Sequence, residues 1–260
     1  MITLQAGQLE NLLTQVFWPF VRIGACFMVA PIFSAQFIPA RVKVLLAVAV
    51  SVLVAPLVPT PAGIAPFSAA GALVTIQQII IGVALGFCMQ ILFDAVTMGG
   101  QLLANSMGLS FAFNVDPMHG ASTPAVGQFY TLIVTLTFLV LNGHLILVET
   151  LVDGFRTLPV GTSGLGPEGI WTIVAWGTQI FSGALSVALP GITALLIVNV
   201  AFGVVSRAAP QLNLFSVGFP VSLICGLLIV LAGLPSVQTS FTRLLEEGLT
   251  LIRGLSGQGT

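Results

Sequence analysis

The chain has 260 residues, of which 57% are hydrophobic and 6% charged, with a formal net charge of −1 and a mean hydropathy of +1.10. A soluble domain carries roughly a quarter charged residues, so water alone cannot solvate this surface, and lipid or other protein must cover much of it. With no basic or acidic run, there is no electrostatic footprint for nucleic acid.

Residues 1–10 contain no Lys or Arg. A cleavable signal peptide needs a positive start, so the first apolar run is expected to be a retained helix. A helix crossing ~30 Å of hydrocarbon takes about 20 mainly apolar residues. By that measure the chain is all-α and of the integral membrane type, with about six hydrophobic segments. The first is 12–34, interrupted by Pro19, Arg22 and Pro31. The second is 42–58, closed by the stretch from Pro56 to Pro66, and the third runs from Ala69 as far as Asn105. A loop, 106–127, follows, with Asp116-Pro117, His119-Gly120 and Pro124 as breakers. The fourth segment is 128–151, followed by a Gly-rich linker over 154–169. The fifth is 170–206, with Pro190-Gly191 at its middle, the sixth is 214–234, and an amphipathic tail covers 237–255.

Residues 171–205 would extend about 50 Å at 1.5 Å per residue, so a kink or break is expected at Pro190, which removes a helical hydrogen bond. Gly or Pro falls inside nearly every segment. Helices freed from regular bonding survive against protein or a water-filled cavity, which points to an assembly or a pore. The positive-inside rule gives no orientation, because Arg156, Arg243 and Arg253 on one side balance Arg41, Lys43 and Arg207 on the other. Residues 1–255 read as a single helical domain and 256–260 as a disordered tail.

The residues that could carry chemistry are sparse. Cys26, Cys88 and Cys225 sit singly in apolar runs, with neither metal-ligand spacing nor a disulfide pattern. Gly164-Leu165-Gly166-Pro167-Glu168-Gly169 matches G-x-G-x-x-G in letters only. The dinucleotide fingerprint needs a preceding strand and an acid about 20 residues on, so this stretch reads as a linker, with Pro167 and Glu168 opening a helix. No catalytic residue, cofactor site or metal site is predicted. His144, Glu149 and Asp153 form either a proton relay or an interfacial helix end, with Asp153 paired to Arg156.

In the third segment Gln90, Asp94, Thr97, Gln101 and Asn105 fall within about 80° of arc at about 100° per residue, and Gln78, Gly82 and Gly86 continue the spacing upstream. This polar stripe is either a close helix contact or a face toward a hydrated channel. Arg22, deep in the first segment, needs a partner, a cavity or water, and Asp94 is the candidate partner within the chain. Arg22, Asp94 and Arg207 are expected to be buried charges. The loop mixes Phe111, Phe113 and Met118 with Asn114, Pro117 and Gly120, so its apolar side chains must bury in a core or a lumen.

Four stretches carry a family resemblance: Arg41-Val42-Lys43; Ile81 to Phe87; Gly100-Gln101-Leu102 through Met107 to Ala112 and on to Val115-Asp116-Pro117; and Ser206 to Asn213 followed by Phe215 to Pro220. With them the chain resembles the FliR family of flagellar biosynthetic proteins and its injectisome counterpart, SctT. The resemblance covers about residues 10–245. It implies a non-enzymatic subunit of the type III protein export gate in the bacterial inner membrane at the flagellar basal body. Bent helical hairpins would assemble with FliP-type and FliQ-type subunits and contact an FlhB-type subunit, and unfolded proteins would pass through the central pore. In the family the loop after the third segment acts as a plug. Here that carries over onto Phe111, Phe113, Asn114, Val115, Asp116, Pro117, Met118 and His119. Two rivals remain: an injectisome export-gate subunit, and a small secondary transporter with a midplane site around Arg22 and Asp94.

Overall fold

A computed structural model describes residues 6–35, 37–59, 64–109, 125–161, 164–208 and 214–257. Every regular element among them is helical: α1 (Ala6–Val29), α2 (Ala40–Val54) with a 3-10 turn at Ala55–Leu57, α3 (Ala69–Ser106), α4 (Ala125–Val140), α5 (Gly143–Thr157), α6 (Pro167–Trp176), α7 (Gln179–Ala208) and α8 (Leu214–Gly257). Four of the helical stretches are long and apolar enough to cross a membrane, or five if the pair α4–α5 counts as one span.

Three expected boundaries move. The fourth segment is two helices, α4 and α5, separated at Leu141–Asn142. Asn142 lies between them in the left-handed region, with φ at 56°, a conformation that asparagine reaches more readily than most residues. The fifth segment is interrupted at Gly177–Thr178, whereas α7 runs on past Pro190. The sixth segment and the expected tail form one helix, α8, with Pro220 and Pro235 inside it. That helix reaches Gly257, two residues past the expected domain end.

The chain forms two compact units. The first comprises Met1–Ile91, Asn142–Gly177 and Glu247–Thr260, and the second Leu92–Leu141 and Thr178–Glu246. In the first unit α1 packs on the N-terminal half of α3 through glycines. A Cβ added at Gly82 would overlap the Arg22 carbonyl, and one at Gly86 would come within 2.8 Å of the Cys26 carbonyl. Trp176 on α6 reaches the same helix, its indole N–H donating to the Cys88 carbonyl at 3.3 Å. In the second unit Gly99 abuts Ala184 and Val187 of α7, and Gly100 meets Gly127 and Tyr130 of α4. Phe93 stacks edge-on against both Phe138 and Phe241, at 5.4 Å each.

These close approaches set a graded expectation. Gly86→Leu forces helix backbones apart and should destabilise by about 3 kcal/mol or more, at or above the top of the usual overpacking range. Gly233→Ala, where an added Cβ meets nothing within 4 Å, should be neutral or stabilising by roughly 0.5–1 kcal/mol. Thermal unfolding of the two variants in the same purified assembly measures the difference. Equal midpoints would show that α1 and α3 do not touch through Gly86.

Candidate functional site

Arg22 is the most constrained polar group in the first unit. It is fully buried although it sits on an apolar helix. Its Nε donates to Gln78 Oε1 at 2.7 Å, Nη1 to the Gly154 carbonyl at 3.0 Å and Nη2 to the Leu158 carbonyl at 2.8 Å. The guanidinium also lies over the Phe155 ring, 4.1 Å from its centroid. Gly154 and Leu158 belong to the C-terminal turn of α5, where the Gly154 carbonyl also accepts from the Leu158 N–H at 2.9 Å and the last carbonyls carry the negative end of the helix dipole. One side chain of α1 thus caps α5 and is tied to α3. Its neighbours are neutral oxygens and an aromatic face, so pairing with Asp94 is not needed to explain its burial.

Of the three charges expected to be buried, only Arg22 is. Asp94 and Arg207 are exposed in the isolated chain. Arg207 lies in the last turn of α7, where a cation is favoured by the helix carbonyls.

The polar stripe on α3 divides. Gln78 is buried against Arg22. Thr97 and Thr131 share a 2.7 Å hydroxyl hydrogen bond between α3 and α4, and Gln101 packs under Gly127. Gln90, Thr97 and Gln101 are half-buried, whereas Asp94 and Asn105 are exposed. In the second unit Asn105 borders a cavity of about 670 Å³, together with Ser106, Met107, Asn199, Phe202 and Ser222. Ser222 Oγ donates to Asn199 Oδ1 at 2.9 Å, joining α8 to α7. This mouth immediately precedes the loop in sequence. The loop residues Phe111, Phe113, Asn114, Val115, Asp116, Pro117, Met118 and His119 lie outside the described residues.

The remaining candidates are structural. Asp153 and Arg156 form an exposed i,i+3 pair at 3.9 Å near the end of α5, which favours the interfacial reading over the relay. Gly166 precedes α6, Pro167 opens it and Glu168 lies in its first turn, as a helix start requires. Cys26 and Cys88 are buried free thiols and Cys225 is half-buried. Among the described residues no group of three or more His, Cys, Asp or Glu could hold a metal. Sequence reasoning missed the Arg22 acceptors on α5, since backbone carbonyls leave no mark in composition. It also missed the Asn199–Ser222 contact, for which the lone amide of Asn199 in an apolar run was the available signal.

The sequence matches known proteins along most of its length. The family model for bacterial export proteins, family 1, matches residues 13–248. The chain is 39% identical to the flagellar biosynthetic protein FliR of Pectobacterium carotovorum subsp. carotovorum, over 99% of this chain and 98% of that protein. It is 38% identical to FliR of Escherichia coli K12, over 97% and 96%, and 28% identical to FliR of Bacillus subtilis 168, over 78% and 80%. A family model spanning most of the chain, near-full-length identity at this level and an all-helical apolar fold together make the chain a member of the FliR family of bacterial export proteins.

Proposed function

We propose that this chain is a subunit of the type III protein export gate, where it helps to form and close the pore through which unfolded flagellar proteins are secreted. The observation that carries the reading is near-full-length identity to proteins named for flagellar biosynthesis. The surface supports it. Phe181, Ile197 and Val204 on α7 and Leu228 and Leu231 on α8 are each about 60% exposed, more apolar surface than a lone chain can leave to water. FliP-type and FliQ-type subunits are the expected neighbours, with an FlhB-type subunit beside them, in the bacterial inner membrane at the flagellar basal body. The chain's role there is transport and not catalysis. The transporter alternative is weaker, because each nitrogen of Arg22 already donates to the chain itself and offers a small ligand little.

The test is expression with and without those subunits. Alone, the chain should aggregate or be degraded. With FliP-type and FliQ-type partners it should purify as one monodisperse complex and restore export of flagellar subunits to a strain lacking its own FliR protein. A stable detergent-soluble monomer that binds neither partner would overturn the proposal.

A further inference from the structure

A second feature of the first unit fits a ligand. A groove of about 390 Å³ opens between α1, α2 and α3, lined by Val21, Gly24 and Met28, by Lys43 and Ala47, and by Val83. Its volume lies in the roughly 300–1,000 Å³ range of small-ligand pockets. Lys43 is its one charged or polar lining side chain. The groove exists because Gly24 carries no side chain where α2 crosses, its added Cβ meeting only the Ala47 Cβ at 4.0 Å. Around it the surface is aliphatic: Met28 is 75% exposed and Leu45 68%.

The charge distribution names the occupant. Between Glu10 and Asp94 the sequence contains no acidic residue, while Arg22, Arg41 and Lys43 are all basic. Arg22 is satisfied internally. Arg41 and Lys43 have no carboxylate partner among the described residues. Both lie in the first turn of α2, which opens a stretch long and apolar enough to cross a membrane, Ala40–Leu57. Lysine at such an end keeps its stem on apolar surface and its ammonium at headgroup level. No side chain caps the N-terminus of α2, whose positive dipole end favours an anion.

We propose that the groove holds one acyl chain of an anionic phospholipid, with the lipid phosphate against Lys43 at the groove rim and Arg41, two residues earlier in the first turn of α2, adding positive charge to the same headgroup layer. An apolar slot with a cationic rim matches an amphiphile of that polarity. An apolar helix from another protein would fill the slot and leave both cations unpaired.

The experiment uses the full chain in the complex it forms in cells, moved into nanodiscs of phosphatidylglycerol or of phosphatidylcholine. Native mass spectrometry counts the lipid retained. Phosphatidylglycerol should be retained in preference. Arg41→Gln with Lys43→Gln should weaken retention roughly thirty-fold, about fivefold for each basic residue near a lipid anion. Lys43→Arg, which preserves the charge, should restore most of the binding. A photoreactive p-benzoyl-phenylalanine at Val44, on the groove rim, should give adducts of phospholipid mass in living cells. Equal retention of the two lipids, unchanged retention in the double variant, or adducts with polypeptide alone would each overturn the proposal.

Discussion

Replacing Arg22 with alanine is expected to remove most of the folded chain from the membrane. The guanidinium is the donor for Gln78 Oε1 and for the carbonyls of Gly154 and Leu158, all in a buried setting. A buried acceptor left without its donor costs roughly 1–3 kcal/mol; the Gly154 carbonyl keeps the Leu158 N–H, so the two that lose theirs, Gln78 Oε1 and the Leu158 carbonyl, amount to about 2–6 kcal/mol before the void is counted. A domain at the lower end of the usual stability of roughly 5–15 kcal/mol does not survive the upper part of that range. Arg22→Lys should fall between wild type and alanine, because a single ammonium cannot reproduce a planar fork over Phe155. Arg22→Met combined with Gln78→Leu should recover only part of the loss. It removes the orphaned amide oxygen but leaves the Leu158 carbonyl facing an apolar side chain. Quantitative immunoblotting of the membrane fraction, with thermal unfolding of the purified assembly, reads all three variants against wild type. An alanine variant that accumulates and melts like wild type would show that Arg22 does not hold α5.

Why that node was only half legible is instructive. The sequence shows a lone arginine in an apolar helix and one carboxylate, Asp94, in another. Opposite charge is the partner that composition can suggest. The actual acceptors are an amide and two main-chain carbonyls, and a carbonyl becomes available only when a helix ends where another side chain can reach it. The same logic separates the helices read correctly from those misread. Helix α3 was visible almost to the residue, because its 38 residues contain no proline and little polarity. The break between α4 and α5 was hidden, since it depends on Asn142 adopting φ of 56° within an apolar run. Pro190, where a kink or break was expected, lies inside α7, and the boundary drawn after residue 234 falls inside α8 beside Pro235. In apolar surroundings neighbouring helices and local adjustments satisfy the carbonyls that proline frees. Gly82 and Gly86 show the reverse. Their four-residue spacing was plain in the sequence, and contact with the backbone of α1 decides for packing over a channel face at that end of the stripe.

Deleting residues 111–119 is expected to leave the complete gate assembled but leaky to ions and small solutes. The segment brings Phe111, Phe113 and Met118 together with Pro117 and the adjoining Gly120. Apolar side chains in a narrow lumen exclude water, and such constrictions gate by dewetting. Methionine, unbranched and polarisable, can close around surfaces of different shape. Proline and glycine disfavour regular helix, so on the proposed reading the segment would yield to a passing chain. Each 1.4 kcal/mol of barrier lost multiplies flux about tenfold, which makes even a partial seal readable. The measurement is ion permeability of cells carrying the complete gate, with and without the deletion, after co-purification has shown that both assemble. Replacing Phe111, Phe113 and Met118 together by serine keeps the loop length and should leak as well, because dewetting depends on apolar surface and not on chain bulk. A correctly assembled deletion complex with unchanged permeability would remove this segment from any closing role.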